Sequence, residues 1–318
     1  MEKNKNKIAL ILPYYGTWPS YFNLYLASCK FNSTVDFIFF TDIVAPENHP
    51  KNVFFYSSSL DSFNELATSK IGEVVKVTSS YKICDIRPAF GKIYEDYLTE
   101  YDYWGFGDID LFYGDLNKFI SPSLGVFDVI SFKPWWLSGC FSLYRNIEVV
   151  NNLYQESKSW RGVFADPNHL CFDECHKHWE RLRKGERIFD IDKNQSFTYL
   201  VKKATEEGRL TSVFLNTLKE SIPAGDFLKI SQSKVCSINT DEEYMLYHMI
   251  SEKKSFVFET PKWKIEPNIY YINSTGFFTQ EEFLSSKKNM KIFLRTLKGG
   301  YRWSWFYLKK IVKRILSL

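Results

Sequence analysis

Two short apolar runs near the amino terminus, with a helix-like segment between them, constrain the fold of this chain most strongly. Residues 8–12 and 35–40 are almost wholly apolar, which is typical of buried parallel strands. Residues 19–31 carry apolar side chains at near-helical spacing after a proline, as a crossover helix would. The alternation continues through residues 53–56 and 62–73. The sequence therefore predicts an α/β fold with a mostly parallel sheet flanked by helices.

Composition sets the class of protein. The chain has 318 residues, of which 45% are hydrophobic, enough to bury a large core in one large or two modest domains. Aromatic residues make up 18%, a share that often accompanies binding of sugar-like rings. We find no signal peptide and no run of eighteen apolar residues. We therefore expect a cytoplasmic protein with reduced cysteines and no membrane-spanning helix.

A hydrophobic strand within residues 101–115 ends in two carboxylates separated by one apolar residue. Because strand side chains alternate between faces, Asp108 and Asp110 can point the same way while Ile109 enters the core. Such oxygens suit Mg²⁺ or Mn²⁺, which completes its shell with water and ligand phosphates. Asp-x-Asp triplets also occur in solvated turns, but the apolar flanks and the glycines at 105 and 107 favour a metal site.

Further side chains follow the carboxyl ends of predicted strands, where ligands bind to doubly wound sheets. They are Pro13, Tyr14 and Tyr15 after the first strand, Thr41 and Asp42 after the second, and Asp108 after a later one. We expect these side chains to surround one nucleotide.

This arrangement resembles the GT-A fold of nucleotide-sugar-dependent glycosyltransferases, whose Asp-x-Asp motif coordinates a divalent metal that bridges the diphosphate. The resemblance covers roughly residues 7–180, and the whole chain is similar to bacterial transferases of capsule, O-antigen and lipopolysaccharide synthesis. It implies a UDP-hexose donor, Mn²⁺ or Mg²⁺ as cofactor, and a polysaccharide or lipid-linked acceptor. It also implies a catalytic domain over residues 1–280, with a nucleotide-sugar half at about 1–132 and an acceptor half at about 133–280.

Residues 85–97 show helical spacing of apolar side chains, and the sequence predicts an amphipathic helix that leads into the acidic strand. The start of this helix looks like the Lys/Ser-Asp helix that many such enzymes place beside the donor, and a helix start with nearby cations favours anions. Asp85 would then bind the donor sugar, while Lys82 or Arg87 would meet phosphate or organise Asp85. Alternatively, Asp85 is only a helix N-cap.

An acid pair at residues 173 and 174 is the candidate catalytic base. If the reaction inverts, a carboxylate must take the proton of the acceptor hydroxyl, and we prefer Asp173 over Glu174. A retaining reaction would not need this base. The same segment contains five side chains that could ligate zinc, although their spacing is irregular: His169, Cys171, Cys175, His176 and His178. We instead expect the cysteines to be buried in the core without a metal.

The resemblance also points to later residues. His248 is a candidate third metal ligand. The alternative, which we favour, is a histidine on a helix surface. The acceptor would meet residues of one loop, since indole faces stack on sugar rings: Trp135, Trp136, Ser138 and Gly139. Two adjacent tryptophans cannot both point inward from one strand, so at least one should be accessible.

The carboxyl-terminal tail, residues 281–318, has its own character. Residues 287–318 hold ten Lys or Arg and no acid, and removing those ten charges from the net +4 leaves −6 on the rest. The mildly acidic body makes nucleic acid a poor partner. Cations interleaved with aromatic and aliphatic residues predict a basic amphipathic helix on an anionic membrane surface, peripheral to the inner face of the cytoplasmic membrane. The glycines at 299 and 300 predict a break between two helices, and a tail packed on the domain with a solvated basic face is the alternative.

Taken together, the residues favour a metal-dependent hexosyltransferase. A nucleotidyl- or phosphotransferase would use the same acid pair, although the chain has no P-loop signature. A non-catalytic carbohydrate-binding protein would use the aromatic side chains but would leave the acid pair unexplained.

Overall fold

A computed structural model describes residues 6–261, 263 and 267–316, with the backbone alone described from residue 311 onward. The β-strands, in chain order, are β1 (Ile8–Pro13), β2 (Val35–Thr41), β3 (Val53–Ser57), β4 (Tyr103–Gly107), β5 (Leu111–Tyr113), β6 (Val129–Ser131), β7 (Phe141–Arg145), β8 (Ser212–Phe214), β9 (Leu218–Lys219), β10 (Leu228–Ser231), β11 (Lys234–Ser237), β12 (Glu243–Tyr244), β13 (Leu246–His248), β14 (Ile269–Asn273) and β15 (Gly276–Thr279).

The α-helices are α1 (Phe22–Lys30), α2 (Leu60–Ile71), α3 (Phe90–Ile93), α4 (Leu116–Ile120), α5 (Glu148–Asn151), α6 (Trp160–Ala165), α7 (Trp179–Arg183), α8 (Ile188–Ile191), α9 (Phe197–Glu206), α10 (Gln280–Leu284) and α11 (Lys288–Leu316). Short 3₁₀ helices cover Ser80–Ala89, Glu95–Tyr97, Leu153–Glu156 and Glu252–Lys254. Among the described residues, no helix combines the length and the apolar character that crossing a bilayer requires.

The chain divides into two compact units. The first contains residues 1–18, 32–108 and 117–217, and the second contains residues 19–31, 109–116 and 218–318. The predicted division at about residue 132 separates a donor-binding half from an acceptor-binding half. These two compact units do not test it, and it stays a prediction.

The sheet of the first unit has the strand order β3-β2-β1-β4-β7-β6-β8. The neighbours β1 and β2, β1 and β4, β2 and β3, and β6 and β8 run parallel, whereas β7 is antiparallel to β4 and β6. The predicted α/β fold with a mostly parallel sheet is thereby confirmed. The strand order reverses direction at β1, with β2 on one side and β4 on the other.

The correctly predicted strands are those with continuous apolar runs. Leu10, Ile11, Phe37 and Phe39 are all fully buried, as expected of strands covered on both faces. Helix α2 begins two residues before the predicted start, because the Ser59 side chain caps it by accepting a hydrogen bond from the backbone of the third helical residue.

The predicted single helix over residues 85–97 is wrong. That stretch consists of the end of a 3₁₀ helix, the short helix α3 and a second 3₁₀ turn. Pro88 lies inside the first of these and donates no backbone hydrogen bond, which disfavours a continuous α-helix. The spacing still predicted burial well, since Ile86, Phe90 and Ile93 are almost fully buried.

The second unit contains an antiparallel sheet with the order β12-β11-β10-β14-β15 and a smaller sheet with the order β5-β13-β9. In the smaller sheet, β13 is antiparallel to β5 and parallel to β9. Helix α1 fulfils the prediction of a helix at residues 19–31. It belongs to this unit, although along the chain it connects β1 to β2 of the first.

The predicted break at residues 299 and 300 is wrong, because α11 is one helix through both glycines. A Cβ atom at Gly299 would lie 2.5 Å from Val257 Cγ2, whereas one at Gly300 would meet nothing within 4 Å. Gly299 is therefore required for close packing. Nearby, the buried Arg295 donates to Glu259 and to the carbonyl of Phe277, which fixes this part of α11 to its unit.

Candidate functional site

The loops that follow β1 and β2 lie together at one edge of the first unit's sheet. The backbone amide of Tyr14, which follows Pro13 at the end of β1, donates to the Phe40 carbonyl at 2.9 Å. The amide of Gly16 donates to Asp42 Oδ1 at 3.0 Å. The Tyr15 hydroxyl and Ser58 Oγ are 3.2 Å apart, and Thr41 is buried at the end of β2.

Asp108 follows β4 at the same edge, because β1 and β4 are parallel. Its backbone amide donates to the Cys140 carbonyl at 3.0 Å, and its side chain is 31% exposed. Arg87 Nη2 donates to Asp108 Oδ1 at 2.5 Å. The other terminal nitrogen of Arg87 donates to the carbonyl of Gly139.

Asp110 and His248 meet in the second unit. Asp110 immediately precedes the strand pair of β5 and β13, in which Leu111 is the partner of His248. Asp110 Oδ1 lies 3.5 Å from His248 Nε2, and both side chains are almost fully buried. His248 ends a strand, so the prediction of a helix-surface position is wrong.

Two charged neighbours complete this part of the second unit. Lys253 forms an ion pair with Asp110 Oδ2, and Glu220 Oε1 lies 3.3 Å from His248 Nδ1. Burial opposes ionisation of Asp110, but the hydrogen bond and charge of His248, together with the charge of Lys253, hold its pKa well below the usual range. Asp110 is therefore an anion at neutral pH.

The Asp110 and His248 atoms fit a divalent cation. Two ligand atoms that are each about 2.1 Å from one ion are roughly 3 Å apart at a right angle and farther apart at wider angles. The observed 3.5 Å falls in that range. Carboxylate oxygen together with imidazole nitrogen suits Mn²⁺ and related cations.

Lys82 and Asp85, predicted to meet the donor, are fully buried in the first unit. Lys82 Nζ lies 2.8 Å from Asp85 Oδ2, and Asp85 also accepts the backbone amides of Leu170 and Phe172 at 2.7 and 2.8 Å. Its carboxylate fixes a distant segment, so the N-cap interpretation is wrong. With no exposed surface, neither side chain is placed to contact a ligand directly, and we assign both to holding the 168–172 segment.

Asp173 is a buried carboxylate of this segment that lacks close donors on one oxygen. Among the described residues, its Oδ1 accepts no hydrogen bond, and His169 Nε2 stands 4.0 Å away. Burial raises the pKa of Asp173. His169 Nε2 is also 3.9 Å from Asp85 Oδ1, so the atoms of Asp85, His169 and Asp173 form a second group that could ligate a metal ion.

Glu174 differs from Asp173 in its contacts. Its oxygens accept the backbone amide of Gly139 at 3.1 Å and Trp179 Nε1 at 2.8 Å. Burial and the charge of Asp173 raise the pKa of Glu174 to about 7. A Cβ atom at Gly139 would lie 2.7 Å from Glu174 Oε1, so the glycine permits this approach.

The adjacent tryptophans are divided as predicted, with Trp135 44% exposed and Trp136 buried. Ser138 is also buried, and its backbone is bonded to Ser131 and Ser142. The prediction that Trp136 and Ser138 contact an acceptor is therefore wrong, because both side chains pack inside the first unit.

The possible zinc set does not assemble. The groups of ligand atoms that lie close enough together within the described residues leave out Cys171, Cys175, His176 and His178. His176 Nδ1 instead lies 3.1 Å from Asp192 Oδ1. Burial raises the pKa of the Cys171 and Cys175 thiols.

Sequence reasoning missed Lys253 and Glu220. Lys253 lies in a short charged run that reads as solvated surface, and Glu220 follows a two-residue strand with no recognisable pattern. His169 was considered only as a zinc ligand. The sequence carries no signal for these contacts, since all of them depend on tertiary pairing.

A family of unknown function (DUF6625) matches residues 10–281 of the chain. No curated protein matches it in sequence. Among solved structures, mouse xyloside xylosyltransferase 1 in its apo form is similar with a TM-score of 0.39 and 9% identity, over 76% of this chain and 96% of that one.

Proposed function

The chain belongs to the DUF6625 family, and we propose that it is a metal-dependent glycosyltransferase. The observation that carries this proposal is the buried pair formed by Asp110 and His248, whose ligand atoms are 3.5 Å apart. Asp108, two residues before Asp110 in the sequence, is the proposed further ligand, on the grounds of the Asp-x-Asp spacing. When bound, Mn²⁺ or Mg²⁺ supplies Lewis-acid stabilisation of the leaving diphosphate.

Support for a nucleotide-sugar donor comes from the first unit's sheet. Its strand order reverses between β2-β1 and β4, and ligands bind at the carboxyl ends of strands beside such a reversal. Tyr14, Tyr15 and Asp42 lie at those ends, together with Asp108. We assign them to the nucleotide and sugar of a UDP-hexose.

Asp173 is our choice of catalytic base for an inverting reaction. A base needs an oxygen lone pair that no protein donor occupies, and Asp173 Oδ1 meets this requirement among the described residues. We prefer it to Glu174, because each oxygen of Glu174 already accepts a hydrogen bond from the protein. In this step the acceptor hydroxyl gives its proton to the Asp173 carboxylate while the hydroxyl oxygen bonds to the anomeric carbon. The bond from that carbon to the diphosphate oxygen breaks at the same time, and the nucleoside diphosphate leaves. The exposed indole of Trp135 is the proposed platform for the acceptor sugar.

Calorimetry and product analysis test this function together. UDP, GDP and CDP, with their sugars, are titrated into the protein with Mn²⁺ and with EDTA. We expect metal-dependent binding of the UDP compounds and slow release of free hexose from the bound UDP-hexose. Release of nucleoside monophosphate would instead indicate nucleotidyl transfer, and absence of nucleotide binding by a folded protein would refute the proposal.

We further propose that the exposed half of α11 binds an anionic membrane surface, which would place the enzyme beside a lipid-linked acceptor of surface-glycan synthesis. Tyr301, Trp305 and Leu308 follow one another at helical spacing and are about half exposed. Lys309 follows Trp305 by one helical turn, with its Nζ 6.0 Å from the centre of that ring, and Arg302 lies three residues before Trp305, so both cations border the aromatic face. A basic helix with an aromatic face suits the inner face of the cytoplasmic membrane.

Vesicle flotation tests this second part. Binding to vesicles that contain phosphatidylglycerol is compared with binding to phosphatidylcholine alone, for the full chain and for a chain that ends at residue 300. We expect binding to anionic vesicles alone, weakened by salt and lost on truncation. Equal binding by the truncated chain would refute the membrane assignment and leave the metal proposal untouched.

A further inference from the structure

One guanidinium stands between the two acidic residues that the proposed function uses in the first unit. Arg87 Nη2 lies 2.5 Å from Asp108 Oδ1, and Arg87 Nη1 lies 3.8 Å from Asp173 Oδ2. The first contact is a charge-assisted hydrogen bond, while the second is too long to be one. Arg87 is thus bonded to Asp108 and adjacent to Asp173.

Other contacts restrict where this guanidinium can go. It donates to the Gly139 carbonyl, its central carbon lies 4.9 Å from the centre of the Phe106 ring, and its side chain is 12% exposed. A largely buried cation that loses one carboxylate needs another, because an unpaired buried charge is costly. Asp173 offers that second carboxylate within a movement of about 1 Å.

We propose that Arg87 is a positioning residue that couples cation binding at Asp108 to the carboxylate of Asp173. The inference rests on the metal ligation proposed above. A divalent cation on Asp108 competes with Arg87 for the same oxygen and repels the guanidinium. Arg87 then closes on Asp173 Oδ2, which orients that carboxylate while Oδ1 stays available to the acceptor hydroxyl. The base is therefore set in place when the cation is bound.

Mn²⁺ affinity, measured by calorimetry or electron paramagnetic resonance, tests the coupling without any turnover. Asp173→Asn removes the alternative partner of Arg87, so we expect Mn²⁺ to bind about tenfold more weakly although Asp173 is not a ligand. Glu174→Gln is the matched control. Its carboxylate is adjacent in sequence and equally within this segment, but it is bonded to Gly139 and Trp179, so we expect unchanged affinity.

A double-mutant cycle makes the test specific to Arg87. Arg87→Met removes the competitor, so we expect it to bind Mn²⁺ more tightly than wild type, and Asp173→Asn should have no further effect in that background. Weaker binding by Arg87→Met, or the same loss from Asp173→Asn in both backgrounds, would overturn the coupling. Arg87→Met serves even if Asp173→Asn does not fold.

The possible failures are distinguishable. If the wild-type protein binds Mn²⁺ and Asp173→Asn binds it with the same affinity, the coupling is overturned and the proposed metal site stands. A folded wild-type protein that binds no Mn²⁺ would overturn the metal ligation and the coupling with it.

Discussion

The ammonium group of Lys82 lies 2.8 Å from the carboxylate of Asp85 at a place where neither side chain reaches solvent. Lys82 also donates to the carbonyls of Val163 and Asn168, at 2.7 and 2.9 Å. An ammonium group has three donors, and all three are used. A buried ion pair can be tolerated in this way, because both partners are also hydrogen-bonded to backbone groups.

Lys82→Met should therefore be severely destabilising, by about 3–5 kcal/mol, because it leaves the Asp85 charge buried and partly unpaired. Lys92→Met is the matched control. Lys92 pairs with Glu95 at the same three-residue spacing, but both side chains of this pair are partly exposed, so the expected loss is about 1 kcal/mol or less. Urea unfolding of both variants measures the difference, and similar losses would contradict this account of the buried pair.

Gly299 and Gly300 offer a second matched comparison in α11. Gly299→Ala should destabilise the protein by about 1–3 kcal/mol, since its Cβ atom would meet the backbone and side chain of Val257. Gly300→Ala meets open space and should be neutral or stabilising by up to about 1 kcal/mol, through helix propensity. Thermal unfolding distinguishes the two, and a stabilising Gly299→Ala would show that α11 does not pack against Val257.

The proposed metal ligation predicts a large effect of one isosteric change. Asp110→Asn should weaken Mn²⁺ binding by about 100-fold or more, because it removes the charge that carries most of the attraction to a divalent cation. His248→Gln should cost less, since the imidazole is a neutral ligand. Asp61→Asn, on the exposed surface of α2, is the control and should bind Mn²⁺ normally. Retained Mn²⁺ affinity in Asp110→Asn would exclude this carboxylate as a ligand.

Stability should depend on pH through Glu174. Burial and Asp173 raise the pKa of this carboxyl to about 7 in the folded protein, above its ordinary value near 4.5. The folded state therefore holds the proton more tightly than the unfolded chain. The free energy of unfolding should fall as pH rises from about 4.5 to 7, by at most about 1.4 kcal/mol per pH unit from this group.

Glu174→Gln should reduce the loss of unfolding free energy between low and neutral pH. Urea unfolding at about pH 5 and about pH 7.5 measures this loss in both proteins. Glu65→Gln, an exposed change on α2, should keep the wild-type pH dependence. An unchanged pH dependence in Glu174→Gln would mean that the carboxyl is ionised with ordinary ease in the folded protein.

The parts of the fold that the sequence predicted are those in which local pattern and tertiary burial agree. Strands β1 and β2 begin where their apolar runs begin, because both faces of each strand are covered. The division of Trp135 and Trp136 between solvent and core also follows from local geometry alone. These features need no knowledge of distant residues.

The errors occurred where distant residues decide. His248 sits in a three-residue strand that exists because β5 pairs with it, and no helical or alternating pattern of that length identifies such a strand. Asp85 looked like a helix cap, since nothing local shows that the amides of Leu170 and Phe172 bind it. The ion pair of Lys253 with Asp110 crosses 143 positions of sequence.

The bonds of Asp85 to Leu170 and Phe172 also bear on how the protein is made. They join Asp85 to backbone groups 85 and 87 positions away, and closing so long a loop carries an entropic cost. A growing polypeptide that has not yet reached residue 170 lacks the two backbone amides that donate to this carboxylate. These two bonds to the segment that carries Asp173 can form only after residues 170 and 172 have been synthesised, so a shorter nascent chain lacks this anchorage even if its earlier strands have formed.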